Sequence, residues 1–218
     1  MTQSQPASGQ QRRAFWLKHL HQWHWISSAI CLIGMLLFAI TGFTLNHAAQ
    51  IEAKLAVENR HATMPTRVLD KVRAEAPASD AQARERKAPV PAALADWLAQ
   101  ALDVDTRGRE AEWSADEIYV ALPRPGGDAW VSVELDSGEA QYEKTTRGAI
   151  SYLNDLHKGR NTGAAWSLFL DVFALACVIF SVTGLFLLKL HAGGRVATWP
   201  LVGLGLVAPL LLAILFIH

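Results

Sequence analysis

Three apolar stretches leave this chain few folds to choose from. Trp25 to Asn46, Val172 to Leu188 and Trp199 to Ile217 contain no Asp, Glu, Lys or Arg. About 20 such residues, at roughly 1.5 Å rise each, match a hydrocarbon core of about 30 Å. A helix satisfies its own backbone hydrogen bonds, so three transmembrane helices are expected. Histidines mark the ends of all three. His19, His21 and His24 precede the first span and His47 follows it; His157 precedes the second and His191 follows it; His218 ends the third.

The formal net charge of +0 hides an asymmetry. Arg12, Arg13 and Lys18 precede the first span, and Lys189 and Arg195 follow the second, with no acid among them. Of the 20 Asp and Glu residues, all but Asp171 fall between His47 and Gly163. Basic flanks of short loops stay in the cytoplasm, whereas long domains translocate largely regardless of charge. The N-terminus and the 189–198 loop are therefore expected inside, and the 48–163 domain and the C-terminus outside. The first span is longer than a signal-peptide core and no small-residue cleavage site follows it, so it reads as a retained anchor. Cys31 and Cys177 both lie inside spans, which leaves the external domain no disulfide and suits small apolar packing residues.

Residues 1–13 are polar and read as a disordered cytoplasmic tail. The first transmembrane helix is expected over 14–47, an extracytoplasmic α+β domain over 48–163, and further spans over 164–190 and 199–217. After His47 the stretch AAQIEAKLAVENRHA reads as a helical continuation. Val68, Leu69 and Val72 hint at one amphipathic helix, with Pro77, Pro89 and Pro91 at its limits; PAALADWLAQAL from Pro91 predicts another. Period-two patterning in IYVAL, AWVSVEL and AQYEK, with PRPGGD and LDSGEA between them, predicts a small antiparallel sheet of three or more strands. GAISYLNDLHKGR is helix-like and GRNTG breaks it. The fold class is thus a three-helix transmembrane bundle with a small α+β domain between the first two spans.

FAITGFTL (Phe38 to Leu45) in the first span resembles FSVTGLFL (Phe180 to Leu187) in the second. The two spans run in opposite directions, so this is a weak inverted-repeat signal that puts one copy at each face. The histidines sort likewise: His47, His157 and His218 external, and His19, His21, His24 and His191 cytoplasmic. Two facing histidines from neighbouring helices are what a six-coordinate b-type haem needs. One pair at each boundary would form a transmembrane electron conduit.

Helical geometry weighs the alternatives. His21 and His47 are about 39 Å and about 80° apart on a helix, whereas His24 and His47 are about 34 Å and about 140° apart. Facing favours His21 and depth favours His24; His21 is preferred because both haems should face one neighbouring helix. His157 and His191 would be about 51 Å apart on one helix, so the GRNTG break must fold His157 back. His19 and His24, beside Trp16, Trp23 and Trp25, also suit an interfacial belt. His61 sits in a charged stretch and reads as solvated. Asp171, inside the apolar stretch SLFLDVFAL, is costly there and is a candidate to orient an external histidine or to pair with Arg160.

LHQWHW, ITGFTLNH, the sheet with its DSGE turn, NDLHKGR and VTGLFLL together resemble the PepSY-associated transmembrane helix family of bacterial inner-membrane proteins, from Phe15 to His191. The resemblance implies a PepSY-like α+β module outside the membrane and a relation to haem-containing reductases of ferric siderophores. By it, His21, His47, His157 and His191 carry over as ligands of the iron of one or two b haems, with His24 and His19 as second choices. The chain departs from the larger members in having three spans and one short external domain, which brings homo-oligomerisation into view. It lacks G-x-G-x-x-G, so electrons would come from a membrane quinol or a redox partner. It also lacks H-E-x-x-H and a hydrolase triad, so a hydrolase is not expected, nor is a nucleic-acid partner. Three functions remain: a membrane oxidoreductase of the ferric-reductase kind, an anchored PepSY module that binds an envelope partner such as a peptidase, and a metal-handling protein using the external histidines.

Overall fold

A computed structural model describes residues 7–76 and 86–217. Part of the expected tail (residues 1–6), Pro77 and His218 lie outside them. The chain divides into two compact units, Met1–Leu37 with Phe169–His218, and Phe38–Leu168. Three helices are long and apolar enough to cross a membrane: α1 (Ala7–Asn46), α5 (Ala164–His191) and α6 (Thr198–Phe216). Ala7–Arg13, expected in the tail, is helical instead. Once a long helix has nucleated, each added residue costs little; ASGQQRR has no proline, and its single glycine, Gly9, costs only about 1 kcal/mol.

In the first unit α1 and α5 run antiparallel. His24 meets Thr183, the thiol of Cys31 lies against that of Cys177, and Gly34 meets the Phe173 ring, so contacts climb one helix as they descend the other. The missing side chain of Gly34 is what admits the ring. Ser27 and Cys31 are buried on this seam.

The second unit is built on a six-stranded antiparallel sheet. Its strands are β1 (Ala56–Thr63), β2 (Arg86–Pro89), β3 (Glu110–Trp113), β4 (Glu117–Ala121), β5 (Gly127–Glu134) and β6 (Glu139–Thr146). The spatial order is β1-β6-β5-β4-β3-β2. Strand β1 replaces the helical continuation expected after His47. Turns at 47–50 end α1, and Ala56–Thr63 then pairs along its whole length with β6, from Ala56 opposite Thr146 to Thr63 opposite Glu139. Those ladder bonds outweigh the local helix propensity of an Ala-rich stretch.

Alternation assigns the faces. Ile118, Val120, Val131 and Val133 are fully buried on one side. They pack with Leu69 and Val72 of α2 (Thr66–Ala74) and Leu94 and Leu98 of α3 (Ala92–Ala101). Each such aliphatic side chain contributes of order 1.5–3 kcal/mol. Side chains on the opposite face, among them Tyr119, Trp130 and Ser132, stay partly exposed. Finally α4 (Ala149–Lys158) ends at Gly159, whose φ of 66° only glycine adopts at little cost.

Candidate functional site

The two Phe-x-x-Thr-Gly segments each hold a histidine ring, and in nearly the same way. In the first unit His24 stacks on Phe180, with centroids 4.7 Å apart and planes 15° apart. Its Nδ1 lies 3.0 Å from Thr183 Oγ1. The Thr183 hydroxyl lies 2.7 Å from the Ile179 carbonyl, to which it can donate while its oxygen accepts from the ring. In that arrangement the ring proton is on Nδ1. A Cβ on Gly184 would lie 3.3 Å from His24 Cε1, so glycine makes the room.

In the second unit His157, on α4, repeats this against α1. Its ring lies 4.8 Å from that of Phe38, and its Nδ1 2.7 Å from Thr41 Oγ1. Thr41 donates to the Phe38 carbonyl at 3.2 Å, and a Cβ on Gly42 would stand 3.5 Å from His157 Cε1. Two neighbours fix α4 in place. Asn154 Oδ1 accepts from the Thr44 hydroxyl at 2.8 Å, and Asp155 Oδ2 accepts from the Gly126 backbone N–H at 2.8 Å. Gly126, at φ +72° in the β4–β5 turn, lets that turn come close to the Tyr152 backbone.

Three other histidines share a second arrangement. The Nδ1–H of His21, His191 and His47 donates to the carbonyl one turn back: Leu17 at 2.8 Å, Leu187 at 2.8 Å and Phe43 at 3.0 Å. Among the described residues no hydrogen bond reaches the Nε2 of any of the three. His21 and His191 face each other, with centroids 5.9 Å apart and planes 89° apart. Two metal–imidazole bonds of about 2 Å plus the two ring radii also give about 6 Å between centroids. His47 and His157 are not so paired. His47 follows Phe38 by nine positions, about 180° round α1, and packs on Phe43 at 4.4 Å.

The remaining expected residues have plainer surroundings. His19 lies edge-on to Phe15 at 4.2 Å, and His61 sits on edge strand β1 opposite Gln141. Asp171 is exposed on α5, about 120° from Thr183, and among the described residues no hydrogen bond or ion pair reaches it. Among the described residues no group of three or more His, Cys, Asp or Glu is placed to hold a metal ion. The sequence reading did not single out Thr41, Thr183, Asn154 or Asp155. The repeat was the signal for the threonines; nothing local marked the other two.

The partly exposed sheet face carries a separate feature, a concavity of about 590 Å³ lined by Asp116, Glu117, Glu134, Asp136, Ser132 and Gln141 around Tyr119 and Trp130. Those two rings stack at 6.1 Å. Burial, with Asp128, Glu112 and Glu117 nearby, pushes the Tyr119 phenol above its usual pKa.

No curated protein and no solved structure matches this chain. A family model described as "Putative PepSY_TM-like" matches residues 15–218.

Proposed function

The chain belongs to this PepSY_TM-like family, and on that premise we propose that it binds b-type haem and moves electrons across the membrane its helices span. The observation that carries this reading is the His21–His191 pair: two imidazoles on facing helices, each anchored at Nδ1 to its own helix, with ring centroids 5.9 Å apart. A haem would supply one-electron chemistry at iron. His21 and His191 would hold it, and the carbonyls of Leu17 and Leu187 would fix both tautomers and raise ligand basicity. His157 and His47, which stand on opposite faces of α1, are the residues proposed for a second haem, and that haem would need a homo-oligomer to complete its ligand pairs. His24, fixed by Thr183, stands next in order and His19 last. Asp171 is proposed as a carboxylate that tunes the outer site.

The proposed setting is a bacterial inner membrane with the N-terminus in the cytoplasm and the sheet domain outside, supported by the acid-free basic flanks. A membrane quinol or a redox partner would donate electrons, and ferric iron, as in a siderophore, would accept them.

An absorption spectrum of protein purified from haem-replete cells tests the reading. The expected result is a low-spin bis-imidazole spectrum that His21→Ala or His191→Ala removes. Colourless protein would overturn it. A second reading then takes over, that of an anchored module binding an envelope partner. What favours it is the acidic, aromatic concavity on the partly exposed sheet face.

A further inference from the structure

Where α1 begins and α5 ends, the two helices leave a groove of about 310 Å³. Leu17, Leu20, Phe186 and Leu190 make its floor apolar, and Trp16 flanks it. Arg13 of α1 and Lys189 of α5 stand on its rim. No ion pair engages either cation among the described residues. The unit that contains them has Asp171 as its single acid, 18 positions from Lys189 and about 27 Å along α5. Within this unit no side-chain carboxylate lies near the pair.

We propose that this groove binds one anionic phospholipid, its phosphate held between Arg13 and Lys189 and an acyl chain laid over the apolar floor. Three observations meet here. The cations come from two different helices, so they bracket the groove and are not simply part of a basic tail. Lys189 directly follows the apolar run ending at Leu188, which is headgroup depth, and Trp16 is the residue type that favours that depth. Basic pockets between transmembrane helices recognise anionic headgroups through this combination of charge and apolar wall. The groove borders the imidazole pair on α1, since Leu17 lines it and also offers its carbonyl to His21. On α5, Lys189 and His191 are two positions apart, so their side chains leave the helix about 160° apart. Lipid binding between Arg13 and Lys189 requires neither histidine.

The test is native mass spectrometry of the full chain, stripped of lipid in detergent and then offered phosphatidylglycerol or phosphatidylcholine with identical acyl chains. One phosphatidylglycerol per chain should be retained and phosphatidylcholine lost. Each cation at the surface is worth roughly a five-fold change, so Arg13→Gln with Lys189→Gln should weaken phosphatidylglycerol binding about 25-fold. Arg12→Gln with Lys18→Gln, which removes neighbouring cations outside the groove, should leave binding unchanged. Equal retention of the two lipids by the wild-type protein overturns the proposal without recourse to any variant. So does an equal loss in the Arg12/Lys18 control, which would mean diffuse attraction. If the Arg13/Lys189 variant keeps its phosphatidylglycerol but loses haem, the cations serve porphyrin carboxylates and the lipid site is refuted. Single Arg13→Gln and Lys189→Gln variants, each expected to lose about five-fold, stand in if the double variant does not fold.

Discussion

The seats of His24 and His157 invite comparison because they share a five-residue sequence pattern and yet differ in their company. Each ring has a phenylalanine on its face, a threonine oxygen on Nδ1 and a glycine at Cε1. Near the first seat, one turn along α1, a facing imidazole pair also forms between His21 and His191. Near the second, His47 carries the same carbonyl anchor but turns to the face of α1 away from His157. A short motif thus fixes how one histidine is held. Whether two histidines meet depends on where each lies around its helix, and a shift of one or two residues swings a side chain by 100–200°.

The largest effect expected from this difference is on haem. Loss of an outer-shell partner alone costs about 10–100-fold in metal affinity, so removing His21 or His191 should cost more than that. His47→Ala should leave the His21–His191 absorbance in place. Pyridine haemochrome titration of the three variants measures it, and an equal loss from His47→Ala would erase the contrast between the two ends.

Next in size is dependence on the sheet. The His157 seat is carried by α4, which leans on the Gly126 turn, whereas the His24 seat lies between α1 and α5. Gly126→Ala imposes a left-handed backbone on alanine and drives its Cβ to 2.7 Å from Tyr152 Cα, so the sheet unit should lose roughly 3 kcal/mol. Denaturant unfolding followed by tryptophan fluorescence checks this, and the His21–His191 absorbance should survive. Its loss would mean that the two regions are not independent.

Smaller effects compare the seats themselves. Thr183→Val and Thr41→Val each leave an imidazole N–H without its acceptor and should each destabilise by about 1–2 kcal/mol, with serine restoring most of it. Thermal melts of the four variants decide this; a cost at only one site would show that the repeat is not functionally symmetric. Smallest is the glycine pair. Gly184→Ala meets a tight 3.3 Å neighbour and should cost about 1 kcal/mol. Gly42→Ala meets an ordinary 3.5 Å contact, so the gain in helix propensity should leave it near neutral. The same melts rank the two.

Much of the architecture was legible in residues alone. Uncharged runs of about 20 residues dictate spanning helices because lipid offers the backbone no hydrogen bonds, and all three appear where expected. Alternation in IYVAL and AWVSVEL gave β4 and β5 their buried faces, and glycines at 126 and 138 turned the chain between strands. Strand β1 escaped sequence reading because its pairing partner β6 lies more than 75 positions away; local propensity cannot see a ladder formed across that distance.

The candidate site divides along the same line. The sequence by itself determined which residues carry imidazoles, that they cluster at span ends, and that two Thr-Gly steps repeat. Only the tertiary structure decided that Thr183 takes His24 and Thr41 takes His157, that His21 and His191 meet, and that His47 turns away. It also decided that Asn154 and Asp155 belong to the support of one seat. The physical reason is that spacing along a helix sets the angle and depth of a side chain. The neighbour it meets depends on the register between helices, which close packing of residues such as Gly34 and Phe173 fixes.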